Sequence, residues 1–285
     1  NPGSRPSFSM AVLLKQLKYS YPLIGAVLAF WIIDLSDRYL LSLFLPMADV
    51  GLYDIGYRMG LMMGLVVDGF SLAWPPYYHG HNQDGKGQSL CGPTLAVYML
   101  VASVWCVALS LACPLALRIL TTPGFYEAYT VVPWVAAACL LKGPYIIFLM
   151  GVLIKNKSSW QFYLETTAAA LNVVGNIVLI PIFGRDAAAV TTLCSYGLLV
   201  AGAYFMVARV NPIPDLHLAP CAGLFALTLL VACSVRWIPL HNLLLYSVLA
   251  GMLILLFGVF VLFIGWRLCS CRASAVTPTL FEGNE

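Results

Sequence analysis

Three observations on the sequence predict an all-α integral membrane fold. Hydrophobic residues make up 61% of the 285 and charged residues only 9%, against roughly 25% charged in soluble domains. Apolar runs of 18 or more residues recur along the whole chain, each long enough at ~1.5 Å per residue to cross a hydrocarbon core of ~30 Å. Strand-like alternation is absent from these runs, which argues against a β-barrel.

Eight spans follow from the pattern. The first two, 20 to 44 and 51 to 77, are divided by Pro46-Met47-Ala48-Asp49. Asn82-Gln83-Asp84-Gly85 precedes the third, 91 to 113, and Thr122-Pro123-Gly124 precedes the fourth, 131 to 154. The fifth and sixth, 160 to 181 and 187 to 208, are followed by Asn211-Pro212, and the last two cover 218 to 236 and 243 to 266. Each break carries residues that favour turns. Residues 1 to 18 read as a cytoplasmic linker, with the mixed stretch 8 to 18 suited to a short helix on the membrane surface. The chain opens on Asn1 without the pattern of a secretory signal, as a fragment of a longer protein would.

An even number of spans puts both termini on one side. Nine of the fifteen cations fall on that side: Arg5, Lys15, Lys18, Lys86, Lys155, Lys157, Arg209, Arg267 and Arg272. Only Arg118, Arg185 and Arg236 fall opposite, so both termini are expected to be cytoplasmic. The net charge of +3 gives no reason to expect a nucleic-acid partner.

The remaining three cations, Arg38, Arg58 and Lys142, lie inside spans, where charge is costly and marks function. Asp34 and Arg38 stand at i and i+4, as do Asp54 and Arg58, each with the acid on the N-terminal side. Both arginines are eight residues from the loop joining the first two spans, ~12 Å deep at ~1.5 Å per residue. A four-charge cluster at one depth is therefore expected, serving either as an ionic clamp between helices or as the lining of a polar cavity. Asp37, beside Arg38, belongs to the same region. Asp68 has no charged neighbour at i±4 and is the natural site for a coupling proton or sodium ion, with Asp34 and Asp54 as further candidates.

Lys142 precedes Gly143-Pro144 in the fourth span, a pair expected to kink or break the helix beside a buried cation. Glu165, Asn172 and Asn176 share one face of the fifth span, where side-chain hydrogen bonds between helices are expected. The nine cysteines form no CxxC pair. Those in the spans read as packing residues, no disulfide is assigned, and Cys269 and Cys271 sit where lipidation could occur. His79, His81 and Asp84 are too few and too exposed to predict a metal site, and no cofactor is implied. No GxSxG elbow or glycine-rich phosphate loop is present. A transporter is the first reading, and a membrane-embedded enzyme acting on lipid-linked sugars is an alternative of another class.

The segment from Tyr21 to His79 resembles the opening of the second half of Wzx-type polysaccharide biosynthesis proteins, the oligosaccharide-lipid flippases of the MATE-like MOP exporter superfamily. The residues that carry the likeness are Pro22, Asp37-Arg38, Val50-Gly51-Leu52-Tyr53, Tyr57-Arg58 and Trp74-Pro75-Pro76. A second block, Leu171 to Leu193, is similar to that family's asparagine-bearing span, its Ile-Pro-x-Phe-Gly turn and its Ala-rich helix. The resemblance implies a six-helix C-terminal flippase lobe over 19 to 210, two additional helices over 211 to 270 and a cytoplasmic tail over 271 to 285. A first lobe, in the same chain or a second subunit, would complete a central cavity that opens alternately to each face. It also implies flipping of undecaprenyl-diphosphate-linked oligosaccharide across a bacterial inner membrane for O-antigen, capsule or exopolysaccharide assembly. Asp37, Arg38, Arg58, Lys142, Asn172 and Asn176 would line the substrate cavity, with proton or sodium coupling. A cation-coupled drug exporter of the same superfamily is the alternative within transport.

Overall fold

A computed structural model describes residues 9–82, 87–214, 216, 218–238 and 243–276. Among them there are helices and no strand. The elements in chain order are α1 Met10–Phe44, α2 Met47–Gly60, α3 Gly64–Asn82, α4 Gly87–Leu120, α5 Val132–Leu153, α6 Ser158–Phe183, α7 Arg185–Val210, α8 Leu218–Cys233 and α9 Leu243–Val276. Short 3-10 turns cover Leu61–Met63, Pro123–Thr130 and Ser234–Arg236. Seven stretches are long and apolar enough to cross a membrane, α2 and α3 counting as one, and α9 adds the shorter apolar stretch Leu245–Val261. This matches the eight expected spans in place and order, and the chain is an all-α multi-span membrane protein.

Two boundaries differ from expectation. The stretch read as a separate surface helix is the first part of α1, which runs unbroken from Met10. Nothing between residues 10 and 20 stops a helix, since neither Gly nor Pro occurs there. At the other end α9 continues to Val276, so the expected tail begins as helix, and 277–285 lie outside the described residues. The linker's residues 1–8, Asp84, and the side chains of Cys269 and Cys271 are also outside them.

α5 is the hub of the bundle. Its buried residues lie on every face, and it is more completely buried than any other span among the described residues. A helix apolar on every face belongs inside a bundle. α4, α7, α3 and α2 pack around it, α1 lies along α6, and α6 lies against α7. α8 and α9 pack on the outer side of α4, where the Tyr246 hydroxyl donates to the carbonyl of Leu111 at 2.6 Å. Gly184, at φ +71°, makes the hairpin between α6 and α7 in a conformation that a side chain would strain.

α5 runs unbroken through Gly143-Pro144, so of the kink or break expected there the break does not occur. Proline at 144 removes the N–H that would reach the carbonyl of Leu140. Tyr98 of α4 supplies the missing donor, its hydroxyl 3.0 Å from the Leu140 oxygen. The ring reaches that point because Gly143 offers no side chain, and a Cβ there would overlap Tyr98. The carbonyl of Met62, in the 3-10 turn between α2 and α3, is likewise taken by the indole N–H of Trp105 at 3.2 Å. Tyr98→Phe is expected to destabilise the protein by about 1–3 kcal/mol, the cost of leaving a buried carbonyl unpaired. In a Pro144→Ala background the backbone N–H returns and the cost should shrink. Thermal unfolding of the four detergent-solubilised proteins in a double-mutant cycle checks this.

Candidate functional site

The intramembrane charges gather where α1, α2 and α5 meet. Arg38 on α1 donates through Nε to Asp54 Oδ1 on α2 at 2.6 Å, and Arg58 donates through Nε to Asp54 Oδ2 at 2.7 Å. Three members of the expected four-charge cluster therefore meet, with one carboxylate shared by two guanidinium groups. Asp34 does not pair with the Arg38 side chain, which reaches only the Asp34 backbone carbonyl at 3.2 Å. The Asp34 carboxylate turns inward to Lys142 Nζ of α5 at 3.2 Å. It also accepts from Tyr196 at 2.6 Å and from Tyr57 at 3.4 Å. Helix periodicity put Asp34 and Arg38 within reach of each other, but Lys142 is a partner whose position only packing supplies.

Aromatic rings shield the same cations. The Arg38 guanidinium lies 4.4 Å from the Tyr57 ring centroid, and Lys142 Nζ lies 5.2 Å from that of Phe30 and 5.0 Å from that of Tyr196. Cation–π attraction is strongest where water is excluded. The exposures differ: the Arg58 side chain is 73% exposed, that of Arg38 27% and that of Lys142 18%. A guanidinium carries five N–H donors. The described bonds use one on Arg58 and two on Arg38. This leaves donors on a positively charged edge that faces out of the bundle.

Behind this edge lies a second, dry network. Asp37 is completely buried. It accepts from Tyr53 at 2.6 Å, from Asn176 Nδ2 at 2.7 Å and from Thr192 at 2.8 Å. Asn176 also bonds to Asn172 at 3.2 Å and to Thr191, and Ser36 donates to Asn172 at 3.3 Å. Asp37, Asn172 and Asn176, expected to line a cavity, are instead sealed between α1, α6 and α7. The reason is that α1 lies along α6, so the face of α1 carrying Asp37 turns toward the asparagines. In hydrocarbon each of these groups needs a partner. The asparagines do bond across helices, but Glu165, on the same helix, belongs elsewhere and bonds to Tyr145 and Gln161.

Asp68 is exposed on α3, apart from the Asp37 network. His79 and His81 close α3, and no group of three metal-ligating side chains occurs among the described residues. The sequence reading overlooked Tyr53, Tyr57, Tyr196, Thr191 and Thr192. The available signal was the presence of hydroxyls at mid-span, which commonly bond between membrane helices. It also overlooked a tie at one end of the bundle. There Arg185 bonds to Asp49 at 2.9 Å and Glu127 at 3.1 Å, and Arg236 bonds to Asp186 at 2.7 Å. That tie joins the loops after the first, third, fifth and seventh spans, which the sequence had placed on one side.

Compared with protein-family models, curated proteins and solved structures, the chain matches none.

Asp37→Ala would leave the buried Tyr53 hydroxyl without its acceptor, at ~1–3 kcal/mol, and would remove one bond each from Asn176 and Thr192, which keep Asn172 and the Ala188 carbonyl. It is expected to lower the thermal midpoint in detergent well below that of Arg58→Ala, whose side chain is mostly exposed. Equal shifts for the two variants would show that the Asp37 network does not hold the bundle.

Proposed function

We propose that the chain is one lobe of a transporter that flips a polyprenyl-diphosphate-linked oligosaccharide between leaflets of a bacterial inner membrane, in the assembly of a cell-surface polysaccharide. The observation that carries this reading is the outward edge formed by Arg58 and Arg38 at mid-span. A cation left accessible at that depth serves a polar path or an anionic ligand better than it serves packing. Guanidinium groups suit a diphosphate because their planar N–H forks bond phosphate oxygens in pairs. The sharing of Asp54 between two arginines leaves a local excess of positive charge. An incoming phosphate can therefore bind without either arginine abandoning its carboxylate.

The resemblance to oligosaccharide-lipid flippases supports the same reading and adds a second lobe, which would face this edge and close the cavity. Lys142 is held by Asp34 between aromatic rings. It contributes positive potential from beneath the edge and is not itself a free ligand. Coupling to a proton or sodium ion is left to Asp68, which the sequence singled out, and to Asp37. Asp34 and Asp54 are already neutralised by Lys142 and by the arginines, whereas the hydrogen-bond partners of Asp37 are all neutral.

The test is flipping of a fluorescent undecaprenyl-diphosphate oligosaccharide in liposomes carrying the native transporter, with its second lobe. Arg58→Ala is expected to lower the rate about tenfold or more, and Arg58→Lys to restore part of it. A rate unchanged by Arg58→Ala and by Arg38→Ala would overturn the reading. Asp37→Asn should preserve folding and abolish dependence of flipping on an imposed ion gradient. Persistence of that dependence would remove Asp37 from the coupling role.

A further inference from the structure

A pocket of about 360 Å³ opens between α1, α3, α5 and α6, its α1 residues Phe30 and Trp31 about two helical turns from Arg38. Its polar groups converge from three helices: Asp68 on α3, Lys142 and Tyr145 on α5, and Gln161 and Glu165 on α6. The remaining wall is largely apolar and includes Trp31, which is 61% exposed. Pockets for small ligands have this character, a mostly apolar wall with a few placed polar groups and volumes from about 300 Å³ upward.

Two features show that the polar groups are arranged for a ligand and are not merely tolerated. Glu165 is 2% exposed yet is held in place by the Tyr145 hydroxyl and by Gln161 Nε2 at 2.9 Å. The other end of the Gln161 amide, Oε1, is buried with no hydrogen-bond partner. An amide can be turned end for end, but either orientation leaves one polar end unpaired beside the pocket. An unpaired polar group in a membrane interior is costly, and a turn of the Gln161 side chain into the pocket would let a ligand bond to that group and recover the loss.

Charge selects the class of ligand. Lys142 is already paired with Asp34, so Asp68 leaves the pocket with an excess of negative charge that repels phosphate, while Glu165 has only neutral partners. A neutral ring bearing several hydroxyls fits all the groups at once. Its hydroxyls can bond to the carboxyl groups of Asp68 and Glu165, the Gln161 amide can donate or accept, and the carbon face of the ring can lie on the Trp31 indole. We propose that this pocket is a sugar subsite, which takes the ring nearest the diphosphate while the diphosphate itself stays on Arg58 and Arg38. This rests on the flippase reading above and adds a division of the substrate between two chemically distinct places.

The test measures binding to the full chain in nanodiscs with three probes: bare undecaprenyl diphosphate, the same lipid bearing one N-acetylglucosamine, and the same lipid bearing one galactose. At least one glycosylated lipid is expected to bind about tenfold tighter than the bare lipid. Gln161→Ala and Glu165→Gln are each expected to erase that advantage, while affinity for the bare lipid serves as the internal reference. If Glu165→Gln fails to fold, Gln161→Ala carries the comparison. Equal affinity for all three probes in the unaltered protein would overturn the subsite and leave the flippase reading standing. An advantage that survives both variants would also overturn it. Binding of none of the three would overturn both proposals. Saturable binding of tetraphenylphosphonium, lost in Glu165→Gln, with no preference among the lipids, would identify the pocket as an organic-cation site instead.

Discussion

The pairing of Asp34 with Lys142 joins residues 108 apart in sequence across 3.2 Å in the bundle, and much of the structure follows from it. Either charge alone, part-buried between membrane helices, would be costly, so their meeting favours the packing of α1 with α5. Their meeting brings Tyr196 of α7 onto the same carboxylate and places Phe30 beside the ammonium. α1 is thereby fixed in rotation as well as in position. Arg38, one turn on, is left pointing at α2, and Asp37 is left pointing at α6 and α7.

That rotation separates two kinds of polar chemistry on one helix. The Asp37 side is dry, and its partners are hydroxyls and amides whose bonds tie three helices. The Arg38 side is open, and Arg58 is mostly exposed there. A bundle of this composition has no general hydrophobic force holding helix to helix within lipid, so small residues and polar contacts carry much of the packing. Gly60 beside Val135 and Gly143 beside Tyr98 show the first device. The Asp37 network shows the second. The same physical need, satisfaction of every buried polar group, makes Tyr98 the donor that lets Pro144 sit within an intact helix.

The pocket beside Trp31 follows from the same arrangement. α1 packs on α6 and α3 packs on α4 and α5, so the space between α1 and α3 is open above Lys142. Asp68 and the arginine edge differ in sign, which under the proposed reading lets two regions of one lobe hold different parts of an amphiphilic substrate.

The sequence by itself determined the membrane class, the helical state, and the place and order of the spans, because each depends on runs of neighbouring residues and on the period of one helix. It also picked out Asp34, Asp37, Arg38, Asp54, Arg58 and Lys142, since charge within an apolar run is visible without a fold. Helix spacing correctly paired Asp54 with Arg58. Only the tertiary structure decided that Asp34 belongs to Lys142, that Asp37, Asn172 and Asn176 are sealed inside, and that Glu165 departs from the asparagines on its own helix. Those choices depend on how each helix is turned about its axis. That rotation is set by contacts between residues far apart in the chain, and the period of a single helix carries no record of it.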